Sequence, residues 1–361
     1  SVQVAQLRMD ALATYDLSFT GASNSFADFY TTTPFVTSGS LILGNGASDT
    51  FSLGGKAFNL VVPASGGPAS VSLAGTFTTT LTTAGAGAIS IGGSGVTLAM
   101  TDNLVLNSSA SNANITLASA MAGAGKTLSI NAGTGSLIVS AALTGMGATS
   151  FTANEMVWTA AITGTDSLTI KPGSSSRAIN LVGGTDAGAS TLDISQAELD
   201  LLGNNFTLIT VGSDTQSGDI HVLDSYTFAN SLKLQTSGAT NLGGTLTGTG
   251  AANFTITGGL YLTGADRSII TDTGTINLST VDTKVEGDGL GSTSVTITAT
   301  GTWTVPTAVT LVTFYAVGGG GGGSGNAGSG GGGGGASQGD VVVSEGQSVT
   351  ITIGSGGSGS S

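Results

Sequence analysis

Charged side chains are scarce in this chain of 361 residues, and cysteine is absent. Lys and Arg together number eight, there is one histidine, and charged residues make up 8% of the sequence, whereas about 25% is usual. Nucleic-acid binding needs clustered Lys and Arg, so this composition argues against it, and the net charge of −13 disfavours docking on anionic membranes. The lack of cysteine fits an extracellular protein as well as a cytosolic one.

Long apolar runs and helical periodicity are also missing. No run of about 18 apolar residues occurs, so the sequence predicts no membrane insertion. Helical spacing is nearly confined to SQAELDLLG (195–203), where Ser195 and Glu198 form a capping box and Gly203 ends the segment. Yet 39% of residues are hydrophobic, which is not the apolar-poor composition of a disordered chain. The surface must then be Ser, Thr, Asn, Gly and Ala, which suits stacking against copies of the same chain.

Short apolar-polar alternations dominate what is present, separated by Gly, Asn and Thr. Similar phrases recur about every 20 residues between 85 and 295, and their central glycines Gly123, Gly145 and Gly164 lie 22 and 19 residues apart. A fixed period of about 20–50 residues is typical of a solenoid. We predict an all-β fold, a coil of parallel strands over residues 61–295 with on the order of a dozen turns and a length of roughly 55 Å. A stack of β-sandwich modules is the alternative.

Residues 1–60 are the least repetitive part of the chain. They begin SVQVAQLRMD, without an initiator Met or a signal-peptide pattern, so we expect a processed chain or a fragment. Alternation predicts a strand over 1–7, although 3–13 also fits a helix. Because an open solenoid end needs cover, we interpret 1–60 as an N-terminal cap. The alternative is a subunit-joining segment that pairs with the next copy through Val2, Val4 and Leu7.

The stretch TLDISQAELDLLGNNFTLITVGSDTQSGDIHVLDSYTFANSLKLQTSG (191–238) resembles a cassette of very large secreted bacterial proteins of the filamentous-haemagglutinin type. In that family an AELDLLG phrase and an aromatic residue lead to ITVG, a short acidic loop, GDIHV and a TF…LKLQT strand. The phrases LTGTG (246–250) and INLST (276–280) fit the same group. The resemblance implies a right-handed parallel β-helix on a cell surface or in an extracellular matrix.

Residues 296–361 form a separate glycine-rich module in our interpretation. GTWTVPTAVTLVTFYAVGGGGGG (301–323), followed by GGGGGGASQGDVVVSEGQSVTITIGSGGSG (330–359), looks like the glycine-rich module of phage tail-fibre tips and bacterial surface adhesins. It departs from that pattern at 307–309, where TAV lacks the usual turn glycine. Further subunit-joining candidates lie here: Trp303, Val305, Phe314 and Tyr315.

The two glycine runs of this module call for a special explanation if they are ordered. Fixing a dozen glycines costs about 12–24 kcal/mol, so their backbone groups would have to bond to neighbouring backbones. Left-handed three-fold helices packed side by side achieve this, because glycine allows close approach as it does in collagen. We predict such polyglycine helices, framed by β-strands, at Gly318, Gly319, Gly320, Gly321, Gly322, Gly323, Gly330, Gly331, Gly332, Gly333, Gly334 and Gly335.

Candidates for chemistry are weak. The densest acidic stretch, with two cations nearby, consists of Asp266, Asp272, Asp282, Glu286, Asp288, Arg267 and Lys284. Adjacent coils would have to bring these together for a polysaccharide lyase or hydrolase. Solvated turns are the plainer interpretation. Weak Ca²⁺ candidates are Asp214, Asp219, Asp272 and Asp282, although no GGxGxDxUx repeat supports them.

No other catalytic or cofactor motif emerges. His221 has neither Cys nor a second His beside it, no GxSxG elbow with a plausible His follows, and no GxxxxGK[ST] pattern occurs. Trp158 and Trp303 fit core or cap positions, with sugar-binding surface aromatics as the alternative. We therefore predict no enzyme and no cofactor.

The function expected from these features is structural. We predict an extracellular or cell-surface protein that assembles head to tail with copies of itself into a filament or adhesive fibre, with cell-surface glycans as a further partner class. A phage tail-fibre or receptor-binding protein is the first alternative. A glycan-active β-helix enzyme is the second.

Overall fold

The structure, a computed structural model, describes residues 97–183, 190–263 and 267–279 without interruption, and shorter stretches between 3 and 92 and between 283 and 352. The secondary structure is almost entirely β, with one helix of a single turn among the described residues. The first elements are β1 (Gln3–Val4), β2 (Leu7–Arg8), β3 (Leu17–Phe19), β4 (Ser23–Phe26), β5 (Phe29–Tyr30), β6 (Ser40–Leu43), β7 (Thr50–Ser52), β8 (Phe58–Val61), β9 (Ser70–Thr78), β10 (Ile89–Gly92), β11 (Leu98–Asn107), β12 (Ile115–Leu117), β13 (Met121–Ala122), β14 (Leu128–Asn131), β15 (Ser136–Val139), β16 (Leu143–Met146), β17 (Thr149–Thr152), β18 (Glu155–Trp158), β19 (Ile162–Gly164) and β20 (Ser167–Lys171). They are followed by β21 (Ala178–Gly183), β22 (Thr191–Ser195), α1 (Gln196–Leu199), β23 (Leu208–Gly212), β24 (Ile220–Val222), β25 (Tyr226–Phe228), β26 (Leu232–Leu242), β27 (Leu246–Gly248), β28 (Phe254–Thr263), β29 (Ile269–Thr271), β30 (Ile276–Ser279), β31 (Thr283–Glu286), β32 (Gly301–Thr304), β33 (Leu311–Val317), β34 (Ala336–Val342) and β35 (Ser348–Ile351).

Three parallel ladders run along the molecule, and a regular turn adds one strand to each. The first ladder contains β1, β4, β7, the second halves of β9 and β11, then β14, β17, β20, β23, the first halves of β26 and β28, and β30. The second ladder contains β2, β5, β8, β10, β12, β15 and β18, and it continues through β22, β21, β24, the second halves of β26 and β28, and β31. The third contains β3, β6, the first halves of β9 and β11, β13, β16 and β19, and later β25, β27 and β29.

This topology confirms the predicted all-β fold and its parallel β-solenoid. Its handedness, inferred as right-handed from the family resemblance, stays a prediction. The chain makes about nine turns between Ser70 and Ser279, fewer than the dozen expected for residues 61–295. Some turns are longer than the expected 20 residues, since paired residues lie 29 apart at Thr76 and Val105 and 41 apart at Leu168 and Ile209. Others match it, with 19 residues between the paired Thr149 and Leu168.

Parallel pairing also begins before the predicted start of the solenoid. Three strands of the first ladder, β1, β4 and β7, precede Ser70. The alternation in residues 1–7 is thus present as strands β1 and β2, which favours the strand over the helical interpretation. Whether residues 1–60 cap the rod or join subunits stays a prediction.

Alternation within each strand creates the core. Since side chains of a strand point to opposite faces, every second residue faces the interior, and identical registers stack those residues into columns. One column of the first ladder consists of paired, buried apolar residues: Leu106, Ile130, Phe151, Ile170, Val211, Leu234 and Ile256. The outward column beside it is polar: Asn107, Asn131, Thr152, Lys171, Gln235 and Thr257. An apolar interior and a polar exterior follow directly from this period of two.

Polar side chains at the corners connect successive turns. Asn103 Oδ1 accepts a hydrogen bond from the backbone N–H of Thr127 at 2.9 Å, one turn later. At the same corner, Asn253 donates its own N–H to Ser231 Oγ and accepts the N–H of Thr275 with Oδ1 at 2.7 Å. These bonds satisfy backbone donors where the strands end, which explains why Asn and Ser precede so many strands.

The recurring glycines of the sequence mark close approaches between turns. A Cβ on Gly123 would lie 2.6 Å from Met146 Sδ, and one on Gly164 would lie 2.3 Å from Phe206 Cε1. Gly145 has φ +62°, a backbone conformation that other residues rarely adopt. The period seen in the sequence is therefore a period of tight corners.

One turn departs from the regular order. Between β20 and β23 the chain makes two second-ladder strands, β21 and β22, that pair with each other in parallel. The later strand, β22, lies beside β18, whereas the earlier strand, β21, pairs onward with β24. Residues 178–183 and 190–202, here termed the inserted segment, thus stack in an order that differs from their order in the sequence.

The C-terminal module is built differently, with antiparallel pairs. β32 pairs with β35, and β33 pairs with β34. A small separate core holds Trp303, Val305 and Val343, and Thr283 of β31 pairs with Trp303, which connects the module to the second ladder. The strands predicted to frame the glycine runs are therefore present. The predicted polyglycine helices lie outside the described residues, apart from Gly335.

Candidate functional site

The subunit-joining candidates of the sequence fall at the two ends of the chain. Val4 and Leu7 lie in β1 and β2, and Val2 is outside the described residues. Trp303 and Val305 are buried, with 7% and 2% of their surface exposed, in the core of the C-terminal module. Their side chains stabilise that module in the single chain, and a role in joining subunits stays a prediction.

The other two candidates lie on the hairpin β33–β34. Tyr315 is 74% exposed and Phe314 is half-buried. On β34, Val342 is 79% exposed, and every residue of this strand is exposed. Through these exposed side chains the hairpin presents apolar surface at one end of the chain. A two-stranded sheet with an exposed face is also only marginally stable by itself.

The first ladder has an open edge at each end. β1 pairs with β4, and β30 pairs with β28; among the described strands neither pairs on its outer side. The sequences Gln3–Val4 and Ile276–Ser279 contain no charged residue and no proline. Those are the residues that commonly protect an exposed edge from pairing with another chain.

Among the described residues, the Ca²⁺ candidates Asp214, Asp219 and Asp272 are not brought together into a metal-binding cluster. Asp214 and Asp272 are exposed, Asp219 accepts the backbone N–H of Ala239 at 2.8 Å, and Asp282 lies outside the described residues. Within the described part of the chain, no cluster of three or more His, Cys, Asp or Glu residues has metal-binding geometry. His221 lies in β24 between Asn180 and Asn241 of neighbouring strands.

A buried polar network holds the inserted segment against β18. Glu198 is 5% exposed, and its Oε2 accepts from the Ser195 N–H at 2.8 Å, which confirms the capping box expected from the sequence. Its Oε1 accepts from the backbone N–H of Trp158 at 3.2 Å, and Trp158 Nε1 donates to the Glu198 carbonyl at 2.6 Å. Trp158 is therefore a core residue, and the sequence did not reveal its connection to Glu198, 40 residues away.

A second polar cluster lies where β21 and β22 pair. Asp193, 6% exposed, accepts from Asn180 Nδ2 at 2.6 Å and from Thr191 Oγ1 at 3.0 Å. Arg177 donates to the Thr191 carbonyl at 2.7 Å and lies 3.5 Å from Glu155. These hydrogen bonds connect β21 and β22, and the Arg177–Glu155 contact reaches β18, so the cluster helps to order the inserted segment.

A cleft of about 170 Å³ opens beside the inserted segment. It lies where the third ladder is interrupted: Leu202 bridges to Ile162 on one side, and β25 pairs with β27 on the other. The cleft is lined by Leu199, Leu202, Asn204, Ile209, Tyr226, Thr227, Phe228, Ala229, Asn230 and Thr249. None of these residues was singled out from the sequence, because the gap arises only when α1 displaces the chain from the ladder.

Two polar groups define the chemistry of this cleft. Tyr226 donates its hydroxyl to Asp200 Oδ1 at 2.9 Å, and burial, together with this hydrogen bond and the Asp200 charge, raises the pKa of Tyr226 well above its usual range. Asn230 is 6% exposed; its Nδ2 donates to the Gly203 carbonyl at 3.0 Å, while its Oδ1 has no hydrogen-bond donor among the described residues. The cleft thus combines a neutral phenol with a buried acceptor that lacks a partner.

Comparison with known proteins adds one match, at the C-terminal end. A family model described as a glycine-rich domain matches residues 292–361. No curated protein and no solved structure matches the chain. The match agrees with the glycine-rich module inferred from residues 296–361.

Proposed function

We propose that this protein is a non-enzymatic structural subunit that assembles head to tail into an extracellular or cell-surface filament or adhesive fibre, in the manner of a filamentous-haemagglutinin-type β-solenoid. The observation that carries the proposal is the first ladder, whose terminal strands β1 and β30 have open outer edges among the described strands. A second copy placed end to end continues this ladder with the same parallel hydrogen bonds. Such a contact is heterologous and does not close, so it leads to a fibre.

The register of the ladder specifies how two copies would meet. One column of paired residues begins with Gln3, Ser25 and Ser52 and ends with Gln235, Thr257 and Ser279. Continuing that column across the junction places Ser279 of one copy opposite Gln3 of the next. The proposed junction therefore predicts which residues of the two copies lie opposite each other.

The glycine-rich module favours a second candidate, the tip of a phage-type tail fibre. The supporting observation is the exposed apolar face of the β33–β34 hairpin, with Tyr315 and Val342 more than 70% exposed, within the matched residues 292–361. Fibres of that kind are discrete and commonly three-fold. Their particle shape distinguishes them from an open-ended filament.

Electron microscopy of the purified chain at several concentrations tests the proposal. Long fibres with a regular axial repeat are the expected result. Discrete three-fold rods would favour the tail-fibre candidate, and single rods at every concentration would overturn the filament.

A cysteine pair tests the register, since the chain has no cysteine of its own. In the double variant Gln3→Cys/Ser279→Cys, partners about 4.8 Å apart fit a disulfide, and oxidation should give a series of covalent oligomers on a non-reducing gel. The matched control is Gln3→Cys/Asn277→Cys, which displaces one cysteine by about 6.6 Å along the strand. Equal cross-linking in both variants would contradict the proposed register even if fibres form.

A further inference from the structure

The cleft beside the inserted segment lies on the side of the rod, away from the two open ends of the first ladder. It is created by the break between Leu202 and β25, so one edge of β25 faces it without a strand partner among the described residues. A gap in an otherwise continuous ladder exposes backbone polar groups beside side chains that can also hydrogen-bond. In the described part of the molecule, exposed backbone polar groups and such side chains occur together at the cleft beside the inserted segment.

Asn230 shows that the cleft calls for a hydrogen-bond donor. Buried polar side-chain atoms in proteins are nearly always partnered, because an unmet buried group is destabilising. Asn230 Nδ2 is held by Gly203, which fixes the amide, and its Oδ1 has no partner in the part of the chain described. A ligand hydroxyl or amide N–H would supply such a donor.

The lining also limits the charge of the ligand. It contains no Lys, Arg or His, and Asp200 lies next to Tyr226, so an anionic ligand is disfavoured. The amide of Asn204 and the hydroxyl of Thr227 are neutral groups that both donate and accept, and the Thr249 hydroxyl, which donates to the Phe228 carbonyl at 3.4 Å, can still accept. These are partners for a ligand that carries several hydroxyl groups and no charge.

Tyr226 supplies the apolar half of the recognition. Its ring is half-buried and packs edge-on against Phe228, with centroids 4.7 Å apart, so its orientation is fixed. A fixed aromatic ring is a surface on which the C–H face of a sugar packs, while its polar tip stays hydrogen-bonded. The volume of about 170 Å³ is smaller than the roughly 300–1,000 Å³ of drug-sized sites, so it suits one ring rather than an oligosaccharide.

We propose that this cleft binds a single neutral sugar ring, such as the terminal residue of a glycan, with a ligand hydroxyl donating to Asn230 Oδ1 and the ring packed on Tyr226. The site is independent of head-to-tail assembly, since its residues lie on the flank of the rod. It would give each subunit of a fibre its own contact with a glycan-bearing surface.

The test is saturation-transfer NMR and calorimetry with the full chain and a panel of methyl glycosides of neutral hexoses and N-acetylhexosamines. At least one glycoside should bind. Ala229→Arg, at an exposed lining position, should weaken that binding at least tenfold by filling the cleft. Ala110→Arg makes the same change at an exposed alanine in another turn and should leave binding unchanged.

Tyr226→Phe provides a second readout that keeps the aromatic ring. It removes the hydroxyl bonded to Asp200 and should weaken binding about threefold, with an unchanged circular dichroism spectrum. If no glycoside of the panel binds the unaltered chain, the cleft holds only water and the proposal is overturned. Binding that survives Ala229→Arg unchanged would overturn it as well, because the sugar would then lie elsewhere, and neither outcome affects the fibre assay.

Discussion

The regular turns from Leu104 to Lys171 and the inserted segment use the same parallel pairing but have different interiors. In the regular turns, the buried polar side chains are hydroxyls alone: Ser108, Ser111, Ser119 and Thr149. The inserted segment buries the carboxylates of Asp193 and Glu198. Apolar columns are enough to stack turns in sequence order, whereas a strand placed out of order is fixed by specific hydrogen bonds.

The physical reason is that apolar columns are not selective. Any strand with alternating Leu, Ile or Val fits any rung of the ladder, because a slip of one turn preserves both hydrogen bonding and burial. A buried carboxylate is costly unless its particular donors are present, so it specifies one arrangement. We infer that Trp158 and Glu198 determine which strand lies beside β18.

The largest expected effect comes from breaking a regular column. Phe151→Ala removes a fully buried ring between Ile130 and Ile170 and should lower the free energy of unfolding by about 3–5 kcal/mol, measured by guanidinium denaturation. Thr152→Ala, its outward neighbour, is the control and should change stability by less than about 0.5 kcal/mol. Similar losses from both variants would contradict the assignment of inner and outer faces.

A somewhat smaller effect is expected at the inserted segment. Glu198→Ala leaves the N–H groups of Trp158 and Ser195 without their acceptor and should cost about 2–3 kcal/mol. Hydrogen exchange should locate the loss at residues 190–202 rather than throughout the rod.

The comparison variant for that experiment is Trp158→Phe, which removes the indole N–H donated to the Glu198 carbonyl together with part of a buried ring, and should cost about 1–3 kcal/mol. An unchanged exchange pattern in Glu198→Ala would show that this network does not hold the segment.

Substituting two buried threonines near the end of the rod by valine should change the stability of the fold in opposite directions. Thr236 Oγ1 shares its one hydrogen between the carbonyls of Gln216 and Gly218 and accepts from the Gly238 N–H, so Thr236→Val should cost about 1–3 kcal/mol. Thr240 is fully buried, and its Oγ1 has no partner among the described residues, so Thr240→Val should raise stability by about 1 kcal/mol. Thermal denaturation of both variants measures the difference, and a loss at Thr240→Val would reveal a partner for its hydroxyl.

The smallest effect is expected at an exposed corner of a regular turn. Asn253→Ala removes the acceptor for the Thr275 N–H and should cost about 0.5–1 kcal/mol by chemical denaturation. Asn253→Asp keeps an acceptor oxygen in the same place and should cost less. If the two variants lose equal stability, the corner bond contributes little to the stacking of turns.

Much of the fold could be predicted from the sequence, because alternation and corner glycines are local signals. The spacing of Gly123, Gly145 and Gly164 indicated the turns, and Ser195 and Glu198 indicated the helix start that the structure confirms. The cleft could not be predicted, because Asn204, Tyr226 and Asn230 meet only after α1 has displaced the chain from the third ladder. The joining role of the chain ends was predicted from composition and resemblance, and it stays a proposal.

By itself the sequence determined which side chains face the interior of this rod, because the two-residue period of a strand assigns each residue to one face. It also determined where the chain turns, through glycines that tolerate positive φ or close approach. The tertiary structure alone decided the order in which β22 and β21 stack and the gap that follows them. Backbone ladders accept any strand of suitable length, so that order depends on contacts such as Trp158 with Glu198 that are distant in the sequence.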